Sequence, residues 1–293
     1  MVYIILLNYN GYNDTLACVE SLRKQSYNDY QVIIVDNKST DDSLEQLQQV
    51  VSDKVILLPN GENGGFAAGC NVGISYVTEK LKDKESLDED YILLLNNDTV
   101  VESTFLCNMI KEFNKAKVNN LTPGMAGCKI MYFDKPNEPW YAGGSFSTLR
   151  CRGKHFVSED IVKTGEIDFI TGCCQLIPLS VIKQIGLMEE EFFLYFEDVE
   201  YCERVKKAGY KLLYIPSAVI YHKCGGSASY ISPTSIYYSN RARYLYITKY
   251  LKRKIPLIIF KFELFVKRIF YRGEKKQAVL RVYKHIRECE KKS

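Results

Sequence analysis

The sequence predicts an α/β fold in which helices flank a mostly parallel sheet, followed by a helical tail. Four apolar runs of strand length alternate with segments of helical pattern in residues 1–100. Polar residues rich in Asn and Asp follow each of these runs. This alternation is typical of parallel sheets built from strand–helix–strand units.

The elements of the first half can be assigned in order. VYIILL at residues 2–7 predicts the first strand, and the next helix begins near Asn13 or Asp14, which can cap its free amides. YQVIIVD predicts the second strand, and its helix ends near Val51. KVILLPN and YILLLNND predict the third and fourth strands, separated by the helix GGFAAGCNVGISYVTEK. Continuous apolar runs indicate strands that are covered on both faces.

The second half is less regular after about Thr122. WYAGGSF and IDFITGCCQLIP predict strands bent by glycine and proline. EEEFFLYFEDVEYCERVKKAGYK predicts a helix from Glu197 to Ala208, ended by Gly209. We expect one domain over residues 1–250 and a basic, partly amphipathic helical tail over residues 251–293.

The polar strand ends predict a binding crevice. The carboxyl ends of parallel strands share one edge of the sheet, where ligands bind. In any single loop, Asn and Asp could simply stabilise a turn. Four successive strand ends of this kind favour a crevice, and its candidate residues are Asn8, Tyr9, Asn10, Asp36, Asn37, Asn63, Asn96, Asn97 and Asp98.

The crevice lacks the usual glycine-rich loops for phosphate. NYNGYN after the first strand offers one glycine where a dinucleotide fold has GxGxxG, and GxxxxGK[ST] is absent. An acidic crevice that binds phosphates needs a divalent cation. Asp98 is placed to supply an oxygen ligand to Mn or Mg.

Charge and cysteine content exclude some classes of protein. From Lys249 onward there are fifteen Lys and Arg against four Glu, so the preceding part of the chain is acidic overall. An acidic body argues against a nucleic-acid groove across the main domain. The ten cysteines are scattered without a CxxC pair and no secretory leader precedes the first strand. We therefore expect reduced thiols in a cytoplasmic protein.

Three further side chains are candidates for chemistry. The helix dipole explains one carboxylate at a helix start, but the apolar run FFLYF before Glu197 and Asp198 would raise a carboxyl pKa and favour a general base. A lone histidine such as His222 is more often a hydrogen-bonding residue than a metal ligand. Trp140 is expected either to pack in the core or to form a stacking platform for a sugar acceptor.

The tail contains the apolar stretch IPLIIFKFELFVKRIFY at residues 255–271. Lys261, Glu263, Lys267 and Arg268 interrupt it too often for a membrane span. It could lie on a membrane surface with its basic residues toward anionic lipid. Alternatively it packs on the protein's own body or on a partner in a homodimer.

Several long motifs in sequence resemble those of GT-A glycosyltransferases of family 2, particularly the bacterial rhamnosyltransferase-like branch that builds surface polysaccharides. The resemblance covers roughly residues 2–250. The motifs are, in order, NYNGYNDTLACVESL, VIIVDNKSTDDS, NGENGGFAAGCNVGI, LLLNNDT, DFITGCCQLIP, LYFEDVEYCERVKKAGYK and VIYHKCGGS.

The resemblance implies a GT-A fold and a nucleoside-diphosphate sugar as donor. It also implies roles for individual residues of the site. Asp36 matches the carboxylate that reads the imide of uracil or thymine, with Asn8, Asn10 and Asn37 beside it. A glycine-rich nucleotide loop and its helix supply Asn63, Gly65 and Asn71. Arg241, in YYSNRARYLY, resembles an arginine close to the diphosphate; the Ala after it replaces the Asn of many relatives.

The resemblance also implies the metal and catalytic residues. Asp98 matches the last Asp of the DxD motif, whose earlier position here is Asn96, with Asn97 between them. His222 matches the later metal ligand, and Asp198 matches the catalytic base. The residues expected on the acceptor side of the site are Trp140, Thr171, Gly172 and Glu197.

These matches imply an inverting, metal-dependent transferase that uses dTDP-rhamnose or a UDP-hexose and a glycan or lipid-linked acceptor. Such an enzyme would be cytoplasmic, and could attach to the inner face of the plasma membrane. Two alternatives stay open. A sugar-phosphate nucleotidylyltransferase should carry a glycine-rich and basic loop after its first strand, which NYNGYND does not provide. A non-catalytic nucleotide-sugar-binding subunit would not need both Asp198 and His222.

Overall fold

The computed structural model describes residues 1–119, 121–158, 162–224 and 232–291. The glycine pair Gly225 and Gly226, which follows His222 in the last motif, lies outside these ranges. The strands of the described residues are β1 (Val2–Asn8), β2 (Tyr30–Asp36), β3 (Val55–Pro59), β4 (Tyr91–Asn96), β5 (Thr99–Val101), β6 (Pro123–Tyr132), β7 (Pro139–Tyr141), β8 (Gly144–Ser147), β9 (Arg152–His155), β10 (Gly165–Ile167), β11 (Cys174–Pro178) and β12 (Lys211–His222).

The helices confirm the predicted alternation with strands. They are α1 (Tyr12–Leu22), α2 (Ser43–Gln48), α3 (Gly65–Lys80), α4 (Phe105–Val118), α5 (Leu179–Ile185), α6 (Glu197–Lys207), α7 (Pro233–Leu245), α8 (Lys254–Phe270) and α9 (Gly273–Glu290), with a π-helical stretch at Tyr246–Leu251. Helix α6 ends at Lys207 with Ala208 as its cap, and Gly209, whose φ of 92° suits glycine, stops it as predicted.

One large sheet runs in the order β10-β12-β6-β11-β4-β1-β2-β3, with β5 paired to β12 and β7 to β6. Strand β1 is parallel to β2 and β4, and β2 is parallel to β3. Strand β11 is antiparallel to both of its neighbours, and β12 is parallel to β6. The carboxyl ends of β1, β2, β4, β6 and β12 therefore meet at one edge, to which β11 adds its amino end.

The sheet buries alternate residues on opposite faces. Tyr3 and Ile5 belong to one apolar cluster, whereas Ile4 and Leu6 belong to the other. This period of two follows from the pleat, and helices on both sides cover the two clusters. The predicted strand in IDFITGCCQLIP is shorter than expected, because only Cys174–Pro178 pairs with β4, and the residues before it form a loop.

The tail packs one of its faces on the protein's own body. Phe260 and Leu264 of α8 and Val279 and Val282 of α9 lie in the same apolar cluster as Ile5 of the sheet. Among the described residues, none of the helices is both long and apolar enough for a membrane crossing. All ten cysteines are free thiols, as the sequence predicts.

Candidate active site

Strand pairing brings Asp98 and His222 together at the carboxyl edge of the sheet. After β4 the chain turns at Asn97 and Asp98, and β5 runs back antiparallel to β12 with Thr99 opposite His222. The Asp98 Oδ1 and His222 Nε2 atoms lie 3.1 Å apart, and both side chains are largely buried. Residues more than one hundred positions apart in sequence thus form one polar pair.

The environment of His222 sets its charge. Burial lowers its pKa, but Asp98 and Cys224 oppose this through hydrogen bonds and charge and raise the pKa to about 9. The Cys224 Sγ atom lies 3.2 Å from Nδ1, which leaves Nε2 to face Asp98. Without a bound metal, the His222 ring is therefore an imidazolium at neutral pH.

Asp98 and His222 fit the ligand chemistry of a divalent cation. A carboxylate oxygen and an imidazole nitrogen are ordinary ligands for a divalent cation. The 3.1 Å separation of Asp98 Oδ1 and His222 Nε2 places these two ligand atoms at one site. No cluster of three His, Cys, Asp or Glu with metal-binding geometry occurs in the described ranges.

Trp140 occupies a packing position beside this pair. Its ring lies edge-on to the rings of His222 and His155, with centroids 4.7 Å away in both cases. Only 8% of the residue is exposed. Of its two predicted roles, this position favours packing, and the contact orients the His222 ring.

Asp198 lies at the amino end of α6, where the backbone holds it in place. Its Oδ2 atom accepts a hydrogen bond of 3.0 Å from the Gly172 amide, and Oδ1 accepts one of 2.8 Å from the Val199 amide. The two residues before the helix, Tyr195 and Phe196, have φ angles of 70° and 72°. Consecutive left-handed residues without glycine are strained, and such strain concentrates at functional sites.

The pKa of Asp198 suits a general base. Burial raises it, the amides of Gly172 and Val199 partly offset that rise, and the resulting pKa is about 6. Burial and the Asp198 charge raise the pKa of the neighbouring Glu197 well above its usual range. Glu197 is 6% exposed, and its Oε2 atom has no hydrogen-bond partner in the described structure. At pH 7, therefore, Asp198 is largely ionised, and the raised pKa of Glu197 favours its neutral form.

A two-residue backbone segment, Gly172 and Cys173, links the two acidic sites. The Gly172 amide binds Asp198, and the carbonyl of the next residue, Cys173, accepts a 2.9 Å hydrogen bond from the Asn96 amide at the end of β4. Asp98 follows two residues after Asn96. A Cβ atom at Gly172 would lie 3.3 Å from the Cβ of Asp198, so glycine permits this close approach.

The predicted nucleotide residues form a connected network across the first two strand ends. Asp36 Oδ2 accepts hydrogen bonds from Asn8 Nδ2 at 2.9 Å and Ser39 Oγ at 2.6 Å. Asn8 Oδ1 accepts from Thr15 Oγ1 at 2.8 Å, and Thr15 Oγ1 accepts from Asn97 Nδ2 at 2.9 Å. The network joins β1, β2, α1 and the turn that carries Asp98.

Asn10, Asn37 and Asn63 shape the neighbouring loops. Asn10 exchanges hydrogen bonds with Thr40, at 3.1 Å and 2.7 Å. Asn37 Nδ2 donates to Asn63 Oδ1 at 2.9 Å and to the Gly65 carbonyl at 3.1 Å, and Asn63 Oδ1 also accepts from the Gly65 amide. These bonds fix the loop before α3.

Gly65 contacts the segment that precedes the candidate base. Its φ is 88°, and a Cβ atom there would lie 2.1 Å from the Phe193 carbonyl oxygen. The next amide, of Phe66, donates a 2.8 Å hydrogen bond to that same oxygen. Only glycine permits this contact between the glycine-rich loop and residues 186–196.

Asn71 and Arg241 hold the same segment from two other helices. Asn71 is buried and exchanges hydrogen bonds with the Met188 backbone at 2.9 Å and 3.0 Å, while its amide also reaches Glu190. Arg241 donates to the Glu191 carbonyl at 3.1 Å. In the described structure both residues contact the segment before Asp198. The donor contact that the resemblance implies for them stays a prediction.

Some site residues were missed at the level of sequence. Ser39 and Thr15 complete the Asp36 network, and each is signalled only weakly, as a hydroxyl residue close behind a polar strand end. Cys224 follows His222 by two residues, and only the structure reveals its contact with the ring. Tyr195 and Phe196 carry no signal for left-handed backbone, because aromatic residues rarely adopt it.

The chain is similar to curated glycosyltransferases from bacteria. It is 27% identical over 222 residues to "Rhamnosyltransferase WbbL" of Escherichia coli (strain K12), covering 74% of this chain and 81% of that one. It is 25% identical over 210 residues to "N-acetylglucosaminyl-diphospho-decaprenol L-rhamnosyltransferase" of Mycobacterium tuberculosis (strain ATCC 25618 / H37Rv), covering 66% of each. The chain spans 61–66% of the length of several of the curated relatives that it matches.

A solved structure supports the fold. The structure titled "Crystal structure of GalNAc-T7 with UDP, GalNAc and Mn2+" superposes with a TM-score of 0.61 at 14% identity, covering 86% of this chain and 49% of that one. The GT-A fold expected from the motifs is thereby confirmed. The profile of glycosyl transferase family 2 matches residues 3–186. The chain therefore belongs to glycosyl transferase family 2.

Proposed function

We propose that the protein is an inverting, metal-dependent glycosyltransferase. It would move a sugar from a nucleoside-diphosphate donor, dTDP-rhamnose or a UDP-hexose, to a hydroxyl of a glycan or lipid-linked acceptor in bacterial surface polysaccharide synthesis. The observation that carries this proposal is the junction at Gly172 and Cys173. It ties the carboxylate of Asp198 to the strand end that leads to Asp98.

Asp198 acts as the general base. With a pKa of about 6, it is ionised at neutral pH and only weakly basic before the reaction. It takes the proton of the acceptor hydroxyl as that oxygen forms its bond to the anomeric carbon. The bond from this carbon to phosphate breaks at the same time, and its electron pair leaves with the nucleoside diphosphate. A single displacement of this kind inverts the anomeric centre.

Asp98 and His222 would hold the divalent cation, Mn or Mg. When bound, it would supply Lewis acidity that stabilises the negative charge on the leaving diphosphate. Asp98 would contribute a carboxylate oxygen, and His222 would contribute Nε2 once it has lost its proton. Because position 96 is Asn, this site has one acidic residue fewer than a DxD motif, so His222 would contribute a larger share of the affinity.

The donor base binds at the ends of β1 and β2. Asp36 is held by Asn8 and Ser39, and these bonds leave part of its carboxylate able to accept from a base imide. Asn10, Asn37 and Asn63 line the adjoining loops. The names of the E. coli and M. tuberculosis relatives support a rhamnosyl donor.

The acceptor reaches Asp198 from the side of Thr171 and Gly172. The M. tuberculosis relative is named for an acceptor on diphospho-decaprenol, which supports a lipid-linked saccharide here. Glu197 precedes Asp198 in the chain, and burial and the Asp198 charge raise its pKa. The enzyme would act on the cytoplasmic side of the membrane and would attach to it through the tail at residues 251–293. Alternatively, this tail would form the interface of a homodimer.

A panel of UDP-sugars and dTDP-sugars tests the proposal. The full chain is incubated with each donor and Mn²⁺, and melting temperature and nucleotide release are both measured. A donor that binds the native state raises the melting temperature, and EDTA should abolish both the shift and the release. Binding without turnover on any acceptor would instead identify a nucleotide-sugar-binding subunit. An absence of response to every nucleotide would contradict the proposed pocket.

A further inference from the structure

Helix α8 carries a row of large apolar side chains on its outer face. We name this row the α8 stripe: Ile255, Ile258, Phe262, Phe265 and Ile269. Their exposed fractions are 62%, 66%, 66%, 50% and 46%, and the adjacent Phe270 is 73% exposed. The spacing of three and four residues places them on one side of a helix with 3.6 residues per turn.

The opposite face of α8 is already packed. Pro256, Phe260 and Leu264 are buried against the body of the protein. The helix is thus apolar on two faces, and packing inside the chain explains only one of them. An exposed row of this size marks an interaction surface.

Cations border the α8 stripe along one edge. Lys254, Lys261 and Arg268 follow one another at intervals of seven residues, so they form a line beside the stripe. All three side chains are exposed. Lys261 pairs with Glu290 at 2.8 Å, and Lys254 and Arg268 have no salt bridge within the described residues.

Cations also border the stripe along the other edge. Glu263 lies there, and three arginines surround it: Arg150 at 3.2 Å, Arg152 at 2.6 Å and Arg243 at 2.6 Å. Arg150 and Arg152 belong to the β8–β9 hairpin region, and their side chains are 61% and 46% exposed. One carboxylate cannot neutralise three guanidinium groups, so this edge is positive as well.

The charges decide between two occupants of the stripe. A second copy that packed its own stripe here would bring cations against cations along both edges, and like charges at close range oppose association. A surface of anionic lipid offers acyl chains to the apolar row and phosphates to the cations on either side.

We propose that the outer face of α8 docks on an anionic membrane, with the stripe in the interface and Lys254, Arg268, Arg150 and Arg152 at the level of the lipid phosphates. Helix α9 packs on α7 and stays on the protein side. This inference deepens the proposed function by specifying the surface that would hold the enzyme at a lipid-linked acceptor. Its test measures only membrane binding. The docking proposal can therefore fail while the transfer chemistry stands, and the transfer chemistry can fail while the docking proposal stands.

The test is cosedimentation of the full chain with vesicles. One set contains phosphatidylcholine alone, and the other contains equal parts of phosphatidylcholine and phosphatidylglycerol. We expect the protein to bind the second set much more strongly and to dissociate as salt is raised, because screening weakens the charge term.

Two pairs of substitutions separate the apolar and the charged contributions. Phe262→Gln with Phe265→Gln should weaken binding to the anionic vesicles by about tenfold or more through lost apolar burial. Val118→Gln is the matched control, since Val118 is 81% exposed at the end of α4. Lys254→Gln with Arg150→Gln should weaken binding by about tenfold at low salt. Lys24→Gln with Lys183→Gln removes equal charge elsewhere.

Several results would overturn this inference. Equal binding to both vesicle sets, or binding to neither, would contradict an anionic membrane surface. The inference would also be contradicted if either double variant bound the anionic vesicles as strongly as its control. A wild-type dimer in sedimentation equilibrium that Phe262→Gln with Phe265→Gln makes monomeric would assign the stripe to a second copy. Unchanged melting temperatures would show that the substitutions at these exposed positions leave the fold intact.

Discussion

Replacing Gly65 by alanine should uncouple the glycine-rich loop from the segment that carries the candidate base. The new Cβ atom would lie 2.1 Å from the Phe193 carbonyl oxygen and 2.7 Å from its carbon, so one backbone must move. The φ of 88° adds strain of about 1–2 kcal/mol for a residue with a side chain. Loss of the 2.8 Å hydrogen bond from the Phe66 amide adds about 1 kcal/mol.

Together these effects should lower the free energy of unfolding by about 2–4 kcal/mol. For a chain of this size, the melting temperature would fall by about 4–8 °C. Differential scanning calorimetry of the full chain measures both quantities. Turnover should fall as well, because the displaced segment continues through Phe196 into the helix that carries Asp198.

Gly61→Ala is the matched control, since it lies in the same loop and a Cβ atom there meets no atom within 4 Å. Its melting temperature should stay within about 1 °C of the wild type. If Gly65→Ala is as stable as Gly61→Ala, the contact between the loop and Phe193 is not a constraint, and our explanation of this glycine is wrong.

Three other predictions follow from contacts at the site. Because the pKa of Asp198 is raised to about 6 and the base must be ionised, kcat/KM measured at saturating Mn²⁺ should rise tenfold per pH unit below about pH 6 and level off above it; a flat profile from pH 5 to 8 would contradict this base. Asn71→Ala removes the bonds to the Met188 backbone and should cost about 2–3 kcal/mol of stability in denaturant titrations, with reduced turnover. Thr15→Val leaves Asn8 Oδ1 without its 2.8 Å donor and should cost about 1–2 kcal/mol and weaken donor binding; unchanged donor affinity would separate this network from the nucleotide pocket.

The parts of the fold with strong local signals could be predicted from the sequence. The strands β1, β2, β3 and β4 are continuous apolar runs because both of their faces are covered, and such runs need no long-range information. The start of α6 at Glu197 and its stop before Gly209 could be predicted equally well. The loop at 168–173 was missed because its composition is as apolar as a strand, whereas its role is to present the Gly172 amide.

Long-range contacts set the limits of prediction at the site. Asp98 and His222 meet through the pairing of β5 with β12, which no local pattern encodes. The resemblance assigns Asn71 to the nucleotide loop and its helix, and no local pattern shows that its hydrogen-bond partner Met188 lies 117 residues away. Trp140 had two open roles because an aromatic side chain serves equally well in a core or on a cleft wall. Its contact with His222 depends on the folded arrangement of β7 and β12.

The most direct test compares donor affinity and turnover for Asp98→Asn and Asp198→Asn in the presence of Mn²⁺, with Glu203→Gln on α6 as control. Asp198→Asn should keep metal-dependent donor binding and lose roughly two to four decades of turnover, as expected when a general base is removed. Asp98→Asn should weaken the binding of the donor and of Mn²⁺ together. Wild-type turnover in Asp198→Asn, or unchanged Mn²⁺ affinity in Asp98→Asn, would contradict the division of labour between these two carboxylates.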